Sequence, residues 1–173
     1  MKKITVIGLG YVGLSLSVFL GTKANVIGID SNSEKIKSLR KGTPYFYEKD
    51  LDSYLKKAIK NGLKFEQEIT ENVLDRDFVF ITVGTPISNN GTIDLSNIKK
   101  VAQIIAEKIK HGKTCPSLII KSTVIPGTTL DVVKPILEKN GLREGKNFEL
   151  LTNPEFLMTV APPFVSTLGK GLP

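Results

Sequence analysis

A hydrophobic run, Ile4 to Ile7, passes straight into Gly8, Gly10 and Gly13, and these open a helical pattern that runs from Tyr11 to Leu20. Few folds accept that order. The first glycine allows a tight strand-to-helix turn, the second lets a pyrophosphate approach the backbone, and the third lets helix and strand pack closely. The helix N-terminus then offers free N–H groups and roughly half a unit of positive macrodipole charge to an anion.

Three glycines at this spacing can arise by chance, so context has to carry the reading. Asn25 to Ile29 reads as a second strand, and Asp30 follows it, 20 residues after Gly10. That is close to the spacing at which a carboxylate meets the ribose hydroxyls of a dinucleotide. The competing reading makes Asp30 a mere cap for a helix beginning near Asn32 to Glu34. With Ser31 and Asn32 after Asp30 in place of an arginine, a 2′-phosphate would be repelled, so NAD is expected over NADP.

The rest of the chain repeats the alternation. Strands are expected at Lys3 to Ile7, Asn25 to Ile29, Leu63 to Phe65, Phe78 to Val83, Ser117 to Ser122 and Phe148 to Leu151. Most are continuously apolar, as in a sheet buried on both faces. Helical stripes lie between them. Leu51, Tyr54, Leu55, Ala58 and Ile59 form one, closed by Asn61-Gly62; Leu95, Ile98, Val101, Ala102, Ile105 and Ile109 form another, with Asp94 as N-cap. The pattern implies an α/β, doubly wound parallel sheet of Rossmann type, forming a single domain. In the usual dinucleotide-binding order, the first and fourth strands lie side by side and a crevice opens between them.

Composition narrows the partners. At 173 residues the chain suits one domain of about 100 to 200 residues. The net charge of +7 comes mainly from scattered lysines, with no basic run longer than two residues and no aromatic-rich motif, which argues against nucleic acid. No stretch reaches the roughly 20 apolar residues that span a bilayer, and no cleavage-site pattern follows Lys2 and Lys3. A soluble, cytoplasmic protein with no membrane partner is expected.

Three polar clusters fall at carboxyl ends of expected strands: Gly84-Thr85-Pro86, Lys121-Ser122-Thr123 and Asn153-Pro154-Glu155. Each alone could be a turn or a cap. Their coincidence at the edge where α/β sheets bind ligands favours a site. Lys35 and Lys121 read, on position alone, as solvated lysines. His111 beside Gly112 suits a helix C-terminus, Asn89-Asn90-Gly91 an exposed turn, and Cys115, the one cysteine, a structural role.

With these residues assembled, the chain resembles the N-terminal domain of the UDP-glucose/GDP-mannose dehydrogenase family. The resemblance rests on Gly8-Leu9-Gly10-Tyr11-Val12-Gly13-Leu14, Val83 to Pro86, Gly91 to Ser96, Lys121 to Val124 with Pro126-Gly127-Thr128, and Asn153 to Leu157, in that order. It implies oxidation of a nucleotide-sugar C6 alcohol to a carboxylate with two NAD. It also implies that Gly8, Gly10, Tyr11, Val12 and Gly13 form the pyrophosphate loop and that Asp30 and Lys35 hold the adenosine end. Thr85 and Thr123 would line the nicotinamide side. Glu155 would touch cofactor or substrate and act in acid-base chemistry on a water that Thr123 helps place, which makes Thr123 and Glu155 the catalytic candidates.

Two departures stand out. Where the family has Glu-Pro-Gly-Leu, this chain has Glu48-Lys49-Asp50-Leu51. After Leu157 the family's Arg-Glu-Gly segment, linking helix and cysteine-bearing substrate domain are not matched. Residues 1–157 are therefore expected to form the dinucleotide-binding domain. Residues 158–173, with Lys170 as their single charge, are expected to form an irregular tail that reads as a truncation after a change of frame. Such a fragment would bind NAD without completing the oxidation, since the aldehyde step needs a tetrahedral adduct, which the resembled family makes with a thiolate. It would also expose apolar surface that favours a homo-oligomer. A stand-alone NAD-binding sensor or interaction module is the alternative from another class, and a 3-hydroxyacid dehydrogenase ranks last because Asn153 to Leu157 is foreign to that pattern.

Overall fold

The computed structural model describes residues 1–88, 91–109 and 115–154. Six strands form one sheet: β1 (Lys3–Ile7), β2 (Asn25–Ile29), β3 (Lys64–Glu66), β4 (Phe78–Ile81), β5 (Ser117–Ile120) and β6 (Glu149–Thr152). Their order is β3-β2-β1-β4-β5-β6 and every pairing is parallel. This is the doubly wound order that the sequence pattern implies, with β1 between β2 and β4 where the connections diverge.

Alternation along the strands divides the core between two faces. Ile4, Val6 and Val26 point to one face and pack with α1 (Tyr11–Gly21), α2 (Ser33–Arg40) and α3 (Leu51–Lys60). Ile7, Ile27, Ile29, Val79, Ile81, Leu118 and Ile120 point to the other, against α4 (Glu71–Leu74), α5 (Ser96–Ile109) and α6 (Lys134–Lys139). The stripe expected on α3 is buried at Leu51, Leu55 and Ala58. That on α5 is buried at Ile98, Val101, Ala102, Ile105 and Ile109. Asp94 accepts from the Ser96 N–H at 2.8 Å, so it serves the first turn of α5 as expected. No helix among the described residues is long and apolar enough to cross a membrane.

Strand limits differ from the sequence expectation for local reasons. The Leu63 N–H closes the end of α3 by donating to the Ala58 carbonyl, so β3 begins one residue later. β4 stops at Ile81. Thr82 still donates its N–H to Ile7, but β1 ends there and turns into α1, leaving Val83 no strand to pair with. Phe148 is fully buried just before β6. Beyond Gly127, residues Thr128–Val133 form a wide π-helical turn before α6. Pro135 has no N–H to give and its ring crowds the carbonyl four residues back, at Asp131, which accounts for the widening.

The loop into α3 carries a local strain. Asp50 sits at the N-cap of α3 with φ 66° and makes no side-chain capping bond. It stands where the resembled pattern has glycine, and the left-handed conformation favours glycine because an L side chain crowds its own backbone there. Asp50→Gly is expected to raise the free energy of unfolding by about 0.5–1 kcal/mol in urea titration. A loss of stability would show that the carboxylate contributes more at the helix N-terminus than its backbone strain costs.

Candidate dinucleotide site

The turn from β1 to α1 is built as the glycine spacing requires. Gly8 adopts φ 96°, and a Cβ there would come within 2.9 Å of the Thr82–Val83 backbone. At Gly13 a Cβ would lie 1.8 Å from the Gly8 carbonyl oxygen and 2.5 Å from Thr82 Oγ1. That hydroxyl donates to Gly8 O at 2.6 Å and lies 3.0 Å from Ile7 O. Gly10 differs from both. A Cβ built on it meets nothing within 4 Å, so the protein leaves space at this residue. Gly10 is also the N-cap of α1 and offers no side-chain bond to the helix's first N–H groups, which stay available to an anion.

Asp30, at the carboxyl end of β2, reaches back to this turn. Its Oδ2 accepts from the Leu9 N–H at 2.9 Å and from Lys35 Nζ at 2.7 Å, and its Oδ1 accepts from the Asn32 N–H at 3.0 Å. Both side chains of the ion pair are largely buried, 12% exposed for Asp30 and 20% for Lys35. A carboxylate has about four acceptor positions, so about one is left for a ligand hydroxyl. Helix α2 is capped instead by Asn32, whose side chain accepts from the Lys35 N–H. The competing reading of Asp30 as the helix cap is thereby set aside. Lys35 is held against Asp30 and is not a freely solvated lysine.

These residues open onto a cleft of about 590 Å³. Gly8, Gly10, Asp30 and Lys35 line it together with Gln67, Glu68 and Ile69 after β3, Thr82 to Gly84 after β4, and Asn97, Lys100, Val101 and Ile104 of α5. The cleft therefore lies over the carboxyl ends of β1, β2, β3 and β4, straddling the point where the chain direction switches. Asn97 Nδ2 donates to Gly84 O at 2.9 Å and ties α5 to the loop after β4.

Thr85 and Thr123 meet outside this cleft, where Thr85 Oγ1 donates to the Thr123 carbonyl at 2.6 Å. Ser122 Oγ donates to Val83 O at 2.7 Å, and Lys121 Nζ lies 3.2 Å from Asn153 Oδ1. The loops after β4, β5 and β6 are thus stitched into one rim. Ser122 and Thr123 do not cap the following helical segment, whose N-cap is Gly127. Tyr11 is exposed, with its ring 4.5 Å from that of Phe46, and Val12 is half-buried. Cys115 is exposed before the amino end of β5, away from the rim. Burial first and Glu149 second hold its thiol above the usual range. Glu155, His111, Asn89, Asn90 and the tail from 158 onward lie outside the described residues.

Sequence reasoning did not single out Thr82, Asn97, the 67–69 loop or Tyr45. The loop could have been found from the rule that ligands bind outside carboxyl strand ends, since it follows β3. Tyr45 has no such signal. Its hydroxyl donates to Leu9 O at 2.5 Å and its ring lies 4.8 Å from Lys35 Nζ. Burial first and the Asp30 charge second push the phenol up to about 12. The share of stability that Tyr45 gives as a neutral donor is complete below pH 10 and is lost as pH rises through about 12.

Comparison with known proteins agrees with this geometry. The chain matches the model of the UDP-glucose/GDP-mannose dehydrogenase family, NAD binding domain, over residues 2–161. It is 37% identical over 158 residues to GDP-mannose 6-dehydrogenase of Pseudomonas aeruginosa, a match covering 90% of this chain and 36% of the relative. It is 36% identical over 156 residues to UDP-glucose 6-dehydrogenase of Rickettsia felis, covering 89% and 33%. Among solved structures, a ternary complex of GDP-mannose dehydrogenase from P. aeruginosa superposes with a TM-score of 0.85 at 35% identity, covering 91% of this chain and 37% of that one. A UDP-glucose dehydrogenase from the archaeon Pyrobaculum islandicum gives 0.82 at 34%, with the same coverage. The chain spans about a third of the length of these relatives.

Two glycine substitutions separate folding from binding. Gly13→Ala is expected to lose more than about 2 kcal/mol of stability, because its methyl has no place between Gly8 O and Thr82. Gly10→Ala is expected to keep thermal stability within about 1 kcal/mol of the parent and to weaken dinucleotide binding at least tenfold, by occupying the approach to the helix N-terminus. Calorimetry and thermal melts read both; a Gly10→Ala protein that binds normally would move the ligand elsewhere.

Proposed function

The chain belongs to the UDP-glucose/GDP-mannose dehydrogenase family, of which it carries the NAD-binding domain, and we propose that it is the cofactor-holding part of a nucleotide-sugar 6-dehydrogenase. The observation that carries this reading is the joining of the glycine turn, Asp30 and Lys35 in one cleft at the switch between β1 and β4. The open space at Gly10 fits a pyrophosphate, since an anion there meets uncapped helix N–H groups and no side chain. Gly8, Gly10, Tyr11, Val12 and Gly13 form that loop. The acceptor position left on Asp30 suits a ribose hydroxyl, with Lys35 holding the carboxylate in place.

When bound, NAD supplies the two-electron oxidant. The residues of this chain orient it and shape the water around it. Thr85 and Thr123, joined by a hydrogen bond, are the residues proposed to line the nicotinamide side. The Thr123 hydroxyl and the Glu155 carboxylate are the groups assigned to placing a water and moving its proton.

Oxidation of a sugar C6 alcohol to a carboxylate with two NAD is the activity proposed for a protein built like the relatives. Its second step requires an adduct on a nucleophile. Cys115 lies before the amino end of β5, at the opposite end of the strand from the rim, so it is not placed to form one. These 173 residues alone are therefore expected to bind NAD and not to carry UDP-glucose or GDP-mannose through to the carboxylate. Residues 1–157 are proposed as the binding unit. Formation of the sugar carboxylate by the chain alone would overturn this division of labour.

Calorimetric titration tests the cofactor assignment directly. NAD is expected to bind more tightly than NADP, because Asp30 keeps its free acceptor for a hydroxyl and Ser31 and Asn32 offer no cation to a 2′-phosphate. Asp30→Asn is expected to weaken NAD about tenfold or more and to narrow the preference over NADP. Equal affinity of the unaltered chain for the two cofactors would remove Asp30 from the ribose.

A further inference from the structure

The segment between α2 and α3 enters the site through Tyr45, a residue that neither the glycine pattern nor the family assignment accounts for. Its hydroxyl donates to the Leu9 carbonyl at 2.5 Å. Leu9 is thus held from both sides, its N–H by Asp30 and its C=O by Tyr45. No peptide bond among the described residues is cis. The planar Leu9–Gly10 peptide therefore turns as a unit, and fixing the Leu9 C=O fixes the Gly10 N–H in the opposite direction. Gly10 is where the structure leaves space at the start of α1.

The same ring acts on the second half of the site. Lys35 Nζ lies 4.8 Å from its centroid, within the range of a cation–π contact, and 2.7 Å from Asp30 Oδ2. Tyr45 itself is seated edge-on against Phe46 at 5.0 Å, and Phe46 lies tilted against Tyr11 in the first turn of α1. The hydroxyl and the ring face thus act separately, one on the Leu9 carbonyl and the other on Lys35.

Building on the proposed cofactor role, we infer that Tyr45 is a positioning residue for the dinucleotide: its hydroxyl sets the Leu9–Gly10 peptide for the pyrophosphate, and its ring keeps Lys35 on Asp30. It touches no ligand in this role. A tyrosine that only packed the 41–50 segment would matter through its ring and would leave the peptide at Gly10 indifferent to its hydroxyl. Tyr45→Phe separates the two, because it keeps the ring, the Phe46 contact and the cation contact and removes one hydrogen bond.

The test uses the whole 173-residue chain, its Tyr45→Phe and Tyr45→Leu variants, titration with NAD and with ADP, and amide hydrogen exchange without ligand. Tyr45→Phe is expected to weaken NAD and ADP alike by about three- to tenfold, the worth of one hydrogen bond. It is also expected to speed exchange at the Leu9 amide, which Asp30 holds on the other side of the same residue, while the β1 and β2 amides keep their rates. Tyr45→Leu is expected to weaken both ligands further by freeing Lys35; should it fail to fold, Tyr45→Phe carries the test alone. Unchanged affinities in Tyr45→Phe, or unchanged exchange at Leu9, would overturn the assignment. Failure of the unaltered chain to bind either ligand would sink the cofactor reading and this role together. Normal binding by the parent with an indifferent Tyr45→Phe sinks this role only.

Discussion

The close approach of Gly13 to the Gly8 carbonyl and the Thr82 hydroxyl is the contact on which the rest of the molecule depends. It brings the first turn of α1 against the ends of β1 and β4, closer than any side chain at Gly13 would allow. Because β4 is laid beside β1 there, the loops after β4 and β5 converge on the same edge, and the cleft opens over strands that are distant in sequence. A bulkier residue at position 13 would push helix from strand and disturb the turn and the cleft wall together.

Charge in the cleft is arranged with little surplus. Asp30 and Lys35 neutralise one another in a largely buried pair, and the carboxylate also secures two backbone N–H groups. A buried pair of this kind gives limited net stability, because desolvation offsets much of its Coulomb energy. Its value here is geometric: it joins the end of β2, the start of α2 and the glycine turn. The anion-attracting element is the helix N-terminus itself, which costs no additional buried charge.

Much of this was legible in the chain. Continuous apolar runs separated by helical stripes indicated a parallel sheet covered on both faces, and the six strands and their switch point follow that pattern. The glycine spacing and Asp30 were legible because each answers to a local backbone requirement or a fixed distance along the chain. Strand ends were less so. Whether Val83 extends β4 depends on whether β1 still has a residue beside it, which no local pattern records. Lys35 read as solvated because a lysine near a helix start usually is, and only the fold shows Asp30 and the Tyr45 ring on either side of it.

By itself the sequence determined the alternation of strand and helix, the glycine turn between the first strand and the first helix, and the acid at the end of the second strand. These are set by periodicity and backbone sterics over a few residues. Only the tertiary structure decided that Tyr45 reaches Leu9, that Thr85 bonds to Thr123, and that Asn97 ties α5 to Gly84. Those partners are 13 to 38 residues apart, and such a pairing becomes favourable only after the sheet has met the entropy of closing the loops between them.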